Sequence, residues 1–353
     1  MLVCNPSPVE RTHMDRTCAP AEHSVQSSRT DWHNLYRKPL LDLGTSGNED
    51  FSGIYSHGYD PETVSQYVQA QFLRDAETYV AKYTNTDYWR RLIRRAFDTA
   101  GIDSPVNEVI LDLGSGAGNT IFPLLELCPR STVIASDLSA RMLALCKKAL
   151  PPGVGKERIG LLELNAEDLD FDPGSFDLVV GGAILHHLLR PELTLEGCAR
   201  ILKPGGHAIF FEPFENGNAI LGHIYNIIAS YPEFGLPSDI KRFFKHFAHD
   251  LNLRKGRDKS APIYRQMDDK WYFTRRYFEE FAERFGFSRC TIYPLHGPER
   301  QFERQTEVYL RLALNRAHKD LPEWAWEMLR QFDAFSDDLK NEMLIEGCII
   351  LRK

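Results

Sequence analysis

Between Val109 and Phe211 the chain repeats one pattern: a short apolar run, a polar or glycine break, then apolar residues at helical spacing. The runs Val109–Leu113, Thr132–Ser136, Ile159–Leu164, Phe176–Val180 and His207–Phe211 read as buried parallel strands. Helical spacing fills the gaps at about Asn119–Leu127, Ala140–Lys148 and Pro191–Ile201. This alternation predicts a parallel sheet with helices on both faces. Upstream, Trp89, Leu92, Ile93, Ala96 and Phe97 share one face of a helix over Asp87–Thr99. Another helix is expected from Pro61, through Val64, Tyr67, Val68, Phe72 and Ala76. Leu202-Lys203-Pro204-Gly205-Gly206 reads as a helix stop and a tight turn. Beyond Pro213 the alternation breaks, with an aromatic helix at Asn218–Tyr231 and then a basic stretch, KRFFKHFAHDLNLRKGRDK. It resumes with helix Thr274–Phe285, strand Arg289–Tyr293 and a final strand, Glu346–Leu351.

The pattern divides the chain. Residues 1–48 are polar and rich in Pro, Ser and Thr, and are expected to be a disordered or loosely docked leader. Within it, Trp32, Leu35, Tyr36, Leu40 and Leu41 can dock. Residues 49–213 hold the first helices and the main sheet. Residues 214–270 form a helical cap over the substrate, and 271–353 complete the core with a helical insertion at about 306–343. A length of 353 residues and a hydrophobic content of 43% suit one soluble domain with a cap. The net charge of −7 argues against a nucleic-acid partner. Seven cysteines are scattered without a C-x-x-C pair, so no metal is expected. The sequence has neither a bilayer-spanning apolar stretch nor a signal-peptide apolar core. A cytoplasmic protein acting on a small molecule, without a membrane partner, is the expectation. The oligomeric state stays open, a homodimer being one option.

The candidate chemistry centres on Glu108–Thr120, EVILDLGSGAGNT. Asp112 precedes a turn containing Gly114, Ser115, Gly116 and Gly118, and a helix follows. Glycine there permits φ > 0 and bare backbone against a ligand. The later glycine of the dinucleotide fingerprint is missing. Asp137 ends the second strand, where a carboxylate can accept from both hydroxyls of a ribose. Its alternative role is a helix N-cap, which Ser139 can fill instead.

The turn resembles the cofactor motif of class I S-adenosylmethionine-dependent methyltransferases, in the form LDLGSGAG. The resemblance covers about residues 87–213. It implies a Rossmann-like α/β fold: a mostly parallel seven-stranded sheet, helices on both faces, a helical cap and an antiparallel last strand. It implies S-adenosyl-L-methionine as cofactor, with Asp137 and Leu138 at the ribose. Asn165-Ala166-Glu167-Asp168-Leu169 resembles the family's D-A-x-x-L segment beside the adenine, with Asn165 where Asp is usual. Whether Asn165 or Asp168 makes that contact stays open. Gly181 stands where backbone faces the methionine part of the cofactor.

His186 and His187 follow the fourth strand. Two adjacent histidines cannot share one helical face. The pair resembles the L-H-H element of small-molecule and sugar O-methyltransferases, where a histidine is the base. Glu212 ends the fifth strand at the same sheet edge. It either supports the base or pairs with Lys241 or Arg242. The expected reaction is methyl transfer to an oxygen of a small metabolite, aided by a histidine base. A carbon beside a carbonyl is the second expectation. Tyr55, Tyr59, Phe214, Tyr225 and Trp271 are the candidate substrate wall, with core packing as the alternative for each. Two rivals are a nicotinamide-dependent oxidoreductase, which Asp137 would also serve, and a binding protein that keeps the fold without turnover.

Overall fold

The apolar runs are buried because they lie in the middle of a layered molecule. The computed structural model describes residues 31–60, 64, 68, 70–103, 108–231, 235–256 and 258–353. Its strands are β1 (Leu41–Asp42), β2 (Tyr55–Ser56), β3 (Val109–Leu113), β4 (Thr132–Asp137), β5 (Ile159–Glu163), β6 (Phe176–Gly182), β7 (Leu202–Pro213), β8 (Arg289–Pro294) and β9 (Glu346–Arg352). They form one sheet in the order β1-β2-β5-β4-β3-β6-β7-β9-β8. All five residues of β3 are buried, as a strand covered on both faces requires. Strands β5, β4, β3, β6 and β7 are mutually parallel, and β9 runs antiparallel between β7 and β8.

Helices Pro191–Ile201 and Arg275–Arg284 pack Leu195, Cys198, Phe278 and Phe281 on one face of the sheet. Helices Thr86–Ala100, Ile121–Leu127 and Ala140–Ala149 pack the other with Leu92, Ile93, Leu124 and Leu143. Local chemistry sets their ends. Asn85 accepts from the Tyr88 N–H at the start of the first of these, and Gly101 closes it in the left-handed region. The order of strands reverses between β3 and β6, which opens a crevice at their carboxyl ends.

Several expectations are corrected. Among the described residues the sheet has nine strands, because the two-residue strands β1 and β2 pair with each other and Tyr55 pairs with Leu162 of β5. Part of the leader docks as expected, with Trp32 and Tyr36 buried and Tyr36 bridging to Phe171, but Leu41 is exposed. Residues 1–30 lie outside the described residues, as does most of the segment after Pro61, including Tyr67. Phe72 and Ala76 stand in short helices, Ala70–Leu73 and Ala76–Tyr83. The turn at Lys203–Gly206 sits inside β7, as a register jump between the pairs Phe176–Leu202 and Leu178–His207.

The two insertions form one unit. Helices Glu215–Ser230, Ser238–Arg254, Gln301–Leu314 and Glu323–Asp333 share a third core, around Tyr225, Phe244, Phe302 and Trp326. The basic stretch as far as Arg254 belongs to an amphipathic helix, Ser238–Arg254, whose Ile240, Phe244, Phe247 and Leu251 face this core. Among the described residues, no helix is long and apolar enough to cross a membrane.

Candidate functional site

A cavity lies at the carboxyl ends of β3, β4 and β6. Its floor is Gly114, Ser115, Gly116 and Ala117. Gly114 has φ +65°, and a Cβ there would fall 2.6 Å from Cδ1 of Ile184. The turn is tied to β4 by Ser115, whose N–H donates to the Ser136 carbonyl at 2.9 Å. Asp137 lines the cavity and holds the turn too. Its Oδ2 accepts from the Gly116 N–H at 2.9 Å and its Oδ1 from the Ser139 N–H at 2.8 Å. Each oxygen keeps a further lone pair for a ligand hydroxyl. Burial raises the pKa of this carboxyl. Ser139, not Asp137, caps the next helix, accepting from the Met142 N–H.

Leu138, Asn165 and Ala166 continue the wall. Asn165 Oδ1 accepts from the Glu167 N–H at 3.0 Å, and its own N–H donates to the Tyr59 hydroxyl at 2.9 Å. Asp168 turns outward to Lys38, 2.8 Å away. Of these two, Asn165 is therefore the one on the cavity. Glu167 is corrected: it is buried away from the cavity and accepts from the N–H groups of Leu189 and Arg190, bracing the start of the next helix. Asp112 and Gly118 also lie behind the lining. The Thr120 hydroxyl donates to Asp112 Oδ2 at 2.7 Å, and burial pushes this carboxyl up to about 7. A Cβ on Gly118 would meet the Phe122 ring at 2.5 Å. Gly181 gives way to Gly182 as the exposed glycine. A Cβ on Gly181 would strike the Phe210 ring at 2.5 Å, so that glycine is required by packing. Ala183 follows with φ +60°, a strained conformation for a residue with a side chain.

The two histidines part company. His187 lines the cavity; His186 is buried behind it. His186 Nδ1 is 2.6 Å from Glu212 Oε2, and its Nε2 is 3.4 Å from Asp269 Oδ1. Burial alone would lower the pKa of this imidazole, but the carboxylates of Glu212 and Asp269 carry it up to about 10. Glu212 is not on the cavity and pairs with neither Lys241 nor Arg242. Its Oε1 accepts from the N–H groups of Ile184 and Leu185, at 3.0 and 2.8 Å, and its Oε2 from the N–H of His186 at 3.2 Å. It thus fixes the turn that presents His187. His187 Nδ1 lies 3.1 Å from both the carbonyl oxygen and Oδ1 of Asp268. A carbonyl only accepts, so this contact assigns the ring proton to Nδ1 and leaves Nε2 as the acceptor.

The segment Asp268-Asp269-Lys270 straps this turn and was not singled out in the sequence. Lys270 donates from its backbone to the His186 carbonyl at 2.7 Å and from Nζ to the His187 carbonyl at 2.6 Å. Three consecutive charged residues outside any apolar pattern were the available signal. The remaining wall comes from upstream helices: Phe72, Tyr79, Val80, Tyr83 and Trp89. Tyr79 packs against Phe72 at 4.7 Å and Tyr83 at 4.6 Å between ring centroids. The five aromatic residues expected there are elsewhere. Phe214 is in the sheet core, Tyr225 stacks on Phe244 at 3.9 Å, and the Trp271 indole donates to the Leu188 carbonyl at 2.8 Å. Tyr55 packs edge-on against Trp32, and Tyr59 stops at the Asn165 backbone. Phe214, Tyr225 and Trp271 fill the interior, as large aromatic residues generally do, and Tyr55 and Tyr59 are half-buried. Among the described residues, the cap supplies only Asp268 and Lys270 to the cavity.

Residues 111–210 match the family model described as a methyltransferase domain. The chain is 28% identical over 173 residues to the mitochondrial 2-methoxy-6-polyprenyl-1,4-benzoquinol methylase of Caenorhabditis elegans, covering 47% of this chain and 60% of that one. It is 26% identical over 211 residues to the ubiquinone/menaquinone biosynthesis C-methyltransferase UbiE of Methylococcus capsulatus, covering 59% of this chain and 76% of that one. Among solved structures, a Haemonchus contortus phosphoethanolamine N-methyltransferase aligns over 75% of this chain and 52% of that one, at 15% identity and a TM-score of 0.42.

Proposed function

We propose, from the premise that this chain is a class I S-adenosylmethionine-dependent methyltransferase of small molecules, that it methylates a ring carbon beside a hydroxyl on a flat, largely apolar acceptor. S-adenosyl-L-methionine supplies an electrophilic methyl group on a positively charged sulfur. The residues present fit that cofactor. Gly114 and Gly116 present bare backbone at positive φ for its methionine part. Asp137 is set to accept from the ribose, and Leu138, Asn165 and Ala166 to border the adenine.

The observation that carries the reading is His187, standing on the cavity between the glycine turn and the aromatic wall. Phe72, Tyr79, Tyr83 and Trp89 offer ring faces and edges to a flat acceptor and keep water from it. His187 takes the acceptor's hydroxyl proton at Nε2, while Asp268 holds Nδ1–H. Loss of that proton raises electron density on the neighbouring ring carbon, and the proton this carbon gives up on methylation returns to the oxygen, so that the ring stays aromatic. The same base would serve an oxygen acceptor. The name of the bacterial relative, a C-methyltransferase, favours carbon, and that of the nematode relative, a benzoquinol methylase, favours a hydroxylated ring as acceptor.

The test is product analysis. The chain is incubated with a cofactor labelled in its methyl group and a series of substituted quinols and phenols. The label should appear on a ring carbon, read by mass spectrometry and NMR. Label on oxygen or nitrogen alone would overturn the carbon assignment, and no label on any acceptor of this class would overturn the acceptor assignment.

A further inference from the structure

We infer that His186, His187 and Asp269 form a binding site for a divalent first-row transition metal, of the zinc or cobalt kind. Their candidate ligand atoms all lie within 4.8 Å of one another. His186 Nε2 and His187 Nδ1 both converge on Asp269 Oδ1, at 3.4 and 3.6 Å. Tetrahedral ligands on bonds of about 2.0–2.1 Å stand roughly 3.3 Å apart, so small side-chain shifts close the shell. Asp268, 3.1 Å from His187 Nδ1, stands outside this group, so water takes the fourth position.

The surroundings suit an ion. The far nitrogen of His186 is held by the buried Glu212 carboxylate at 2.6 Å, the outer contact that orients and strengthens a metal-bound imidazole. Two imidazoles and a carboxylate match zinc, cobalt and iron(II) better than magnesium or calcium. Two cations stand nearby. Arg254 contacts Asp269 through Oδ2 at 3.4 Å, leaving Oδ1 for the ion. Lys270 Nζ is turned to the carbonyls of His187 and Asp268. Asp269 is partly exposed, which gives an entry path. The second His/Glu group, Glu303, Glu307 and His318, is neutralised by Arg300, Arg304 and Arg330 and carries no such site.

The site shares His187 with the proposed base, and its consequence for turnover rests on that reading. A metal on Nδ1 displaces the proton now given to Asp268, and the ring's proton then sits on Nε2. Nε2 becomes a donor and can no longer take a proton from the acceptor. The ion is therefore an inhibitor of methyl transfer.

The full chain, stripped with a chelator, is titrated with cobalt(II) and followed by visible absorption. One ion per chain should bind with a tetrahedral-type band. Asp269→Asn and His186→Ala should weaken binding more than about tenfold, since even the loss of an outer contact to a ligand costs about 10–100-fold, while His318→Ala should leave it unchanged. Circular dichroism and S-adenosylhomocysteine binding establish that each variant is folded. Zinc should lower turnover, and chelator should restore it. No cobalt binding, or equal binding by folded Asp269→Asn, overturns the site. Activation by zinc overturns the inhibition. A metal-free chain that methylates no acceptor overturns the functional reading instead, and leaves cobalt binding as a separate result.

Discussion

At the scale of single residues, the site is a set of carboxylates with different duties. Asp137 ends β4 on the cavity, with both oxygens already bound to backbone N–H groups. Removing it as Asp137→Ala should weaken S-adenosylhomocysteine binding by about 1.5–3 kcal/mol, the range for hydrogen bonds to a charged group. Calorimetry that finds unchanged affinity would take Asp137 off the ribose. Asp112 has another duty. Its carboxyl is fully buried, with its pKa raised to about 7 from an ordinary 3.8. A raised carboxyl favours the folded state below its ordinary pKa, and that contribution is lost as pH rises through the folded value. At about 1.4 kcal/mol per pKa unit, the loss between pH 4 and 8 reaches up to about 4 kcal/mol. Asp112→Asn cannot ionise. Denaturant unfolding should show this variant gaining on the native chain as pH rises from 4 to 8. A pH-independent difference would contradict the assignment.

The residue scale is also where sequence reading stopped short. Asp137 and the glycine turn were legible because strand ends and glycines constrain the backbone itself. Glu167 and Glu212 were not, since a carboxylate's partner depends on which distant N–H groups the fold brings to it. Nothing local says that Glu212 meets residues 184–186, 26 to 28 positions away.

At the scale of elements, periodicity carried far. Val109–Leu113 and Pro191–Ile201 have the same limits in spacing and in structure. The strap 268–270 had no periodicity to reveal it, and the short β1–β2 ribbon is held by pairing too brief to leave a pattern. The proposed chemistry depends on the turn at 184–187, which brings His187 to the cavity. Glu212 holds it by three backbone N–H groups and the His186 ring. In Glu212→Gln an amide N–H replaces one accepting oxygen, which leaves a buried donor facing donors. That costs about 1–3 kcal/mol, equivalent to roughly 5- to 150-fold when it falls on the alignment of His187. Turnover should drop by that factor while S-adenosylhomocysteine affinity holds. Equal losses of both would mean that Glu212 supports the whole cavity rather than this turn.

At the scale of the whole molecule, two insertions far apart in the chain build one helical unit around Tyr225 and Trp326. The sequence marked both as departures from alternation. It did not reveal that they share a core, because the contacts between them link segments about 80 residues apart, as in the bond from Tyr225 to Thr306. Nor did it reveal that the aromatic wall of the cavity comes from the upstream helices. The molecule thus sets a sheet edge with a glycine turn against an aromatic wall, with His187 at their junction. The most direct test is His187→Ala, assayed for methyl transfer and for S-adenosylhomocysteine binding on the same metal-free preparation. Turnover should fall on the order of 10²–10⁴-fold, the usual contribution of a general base, with cofactor affinity unchanged. Turnover near that of the native chain would contradict the account.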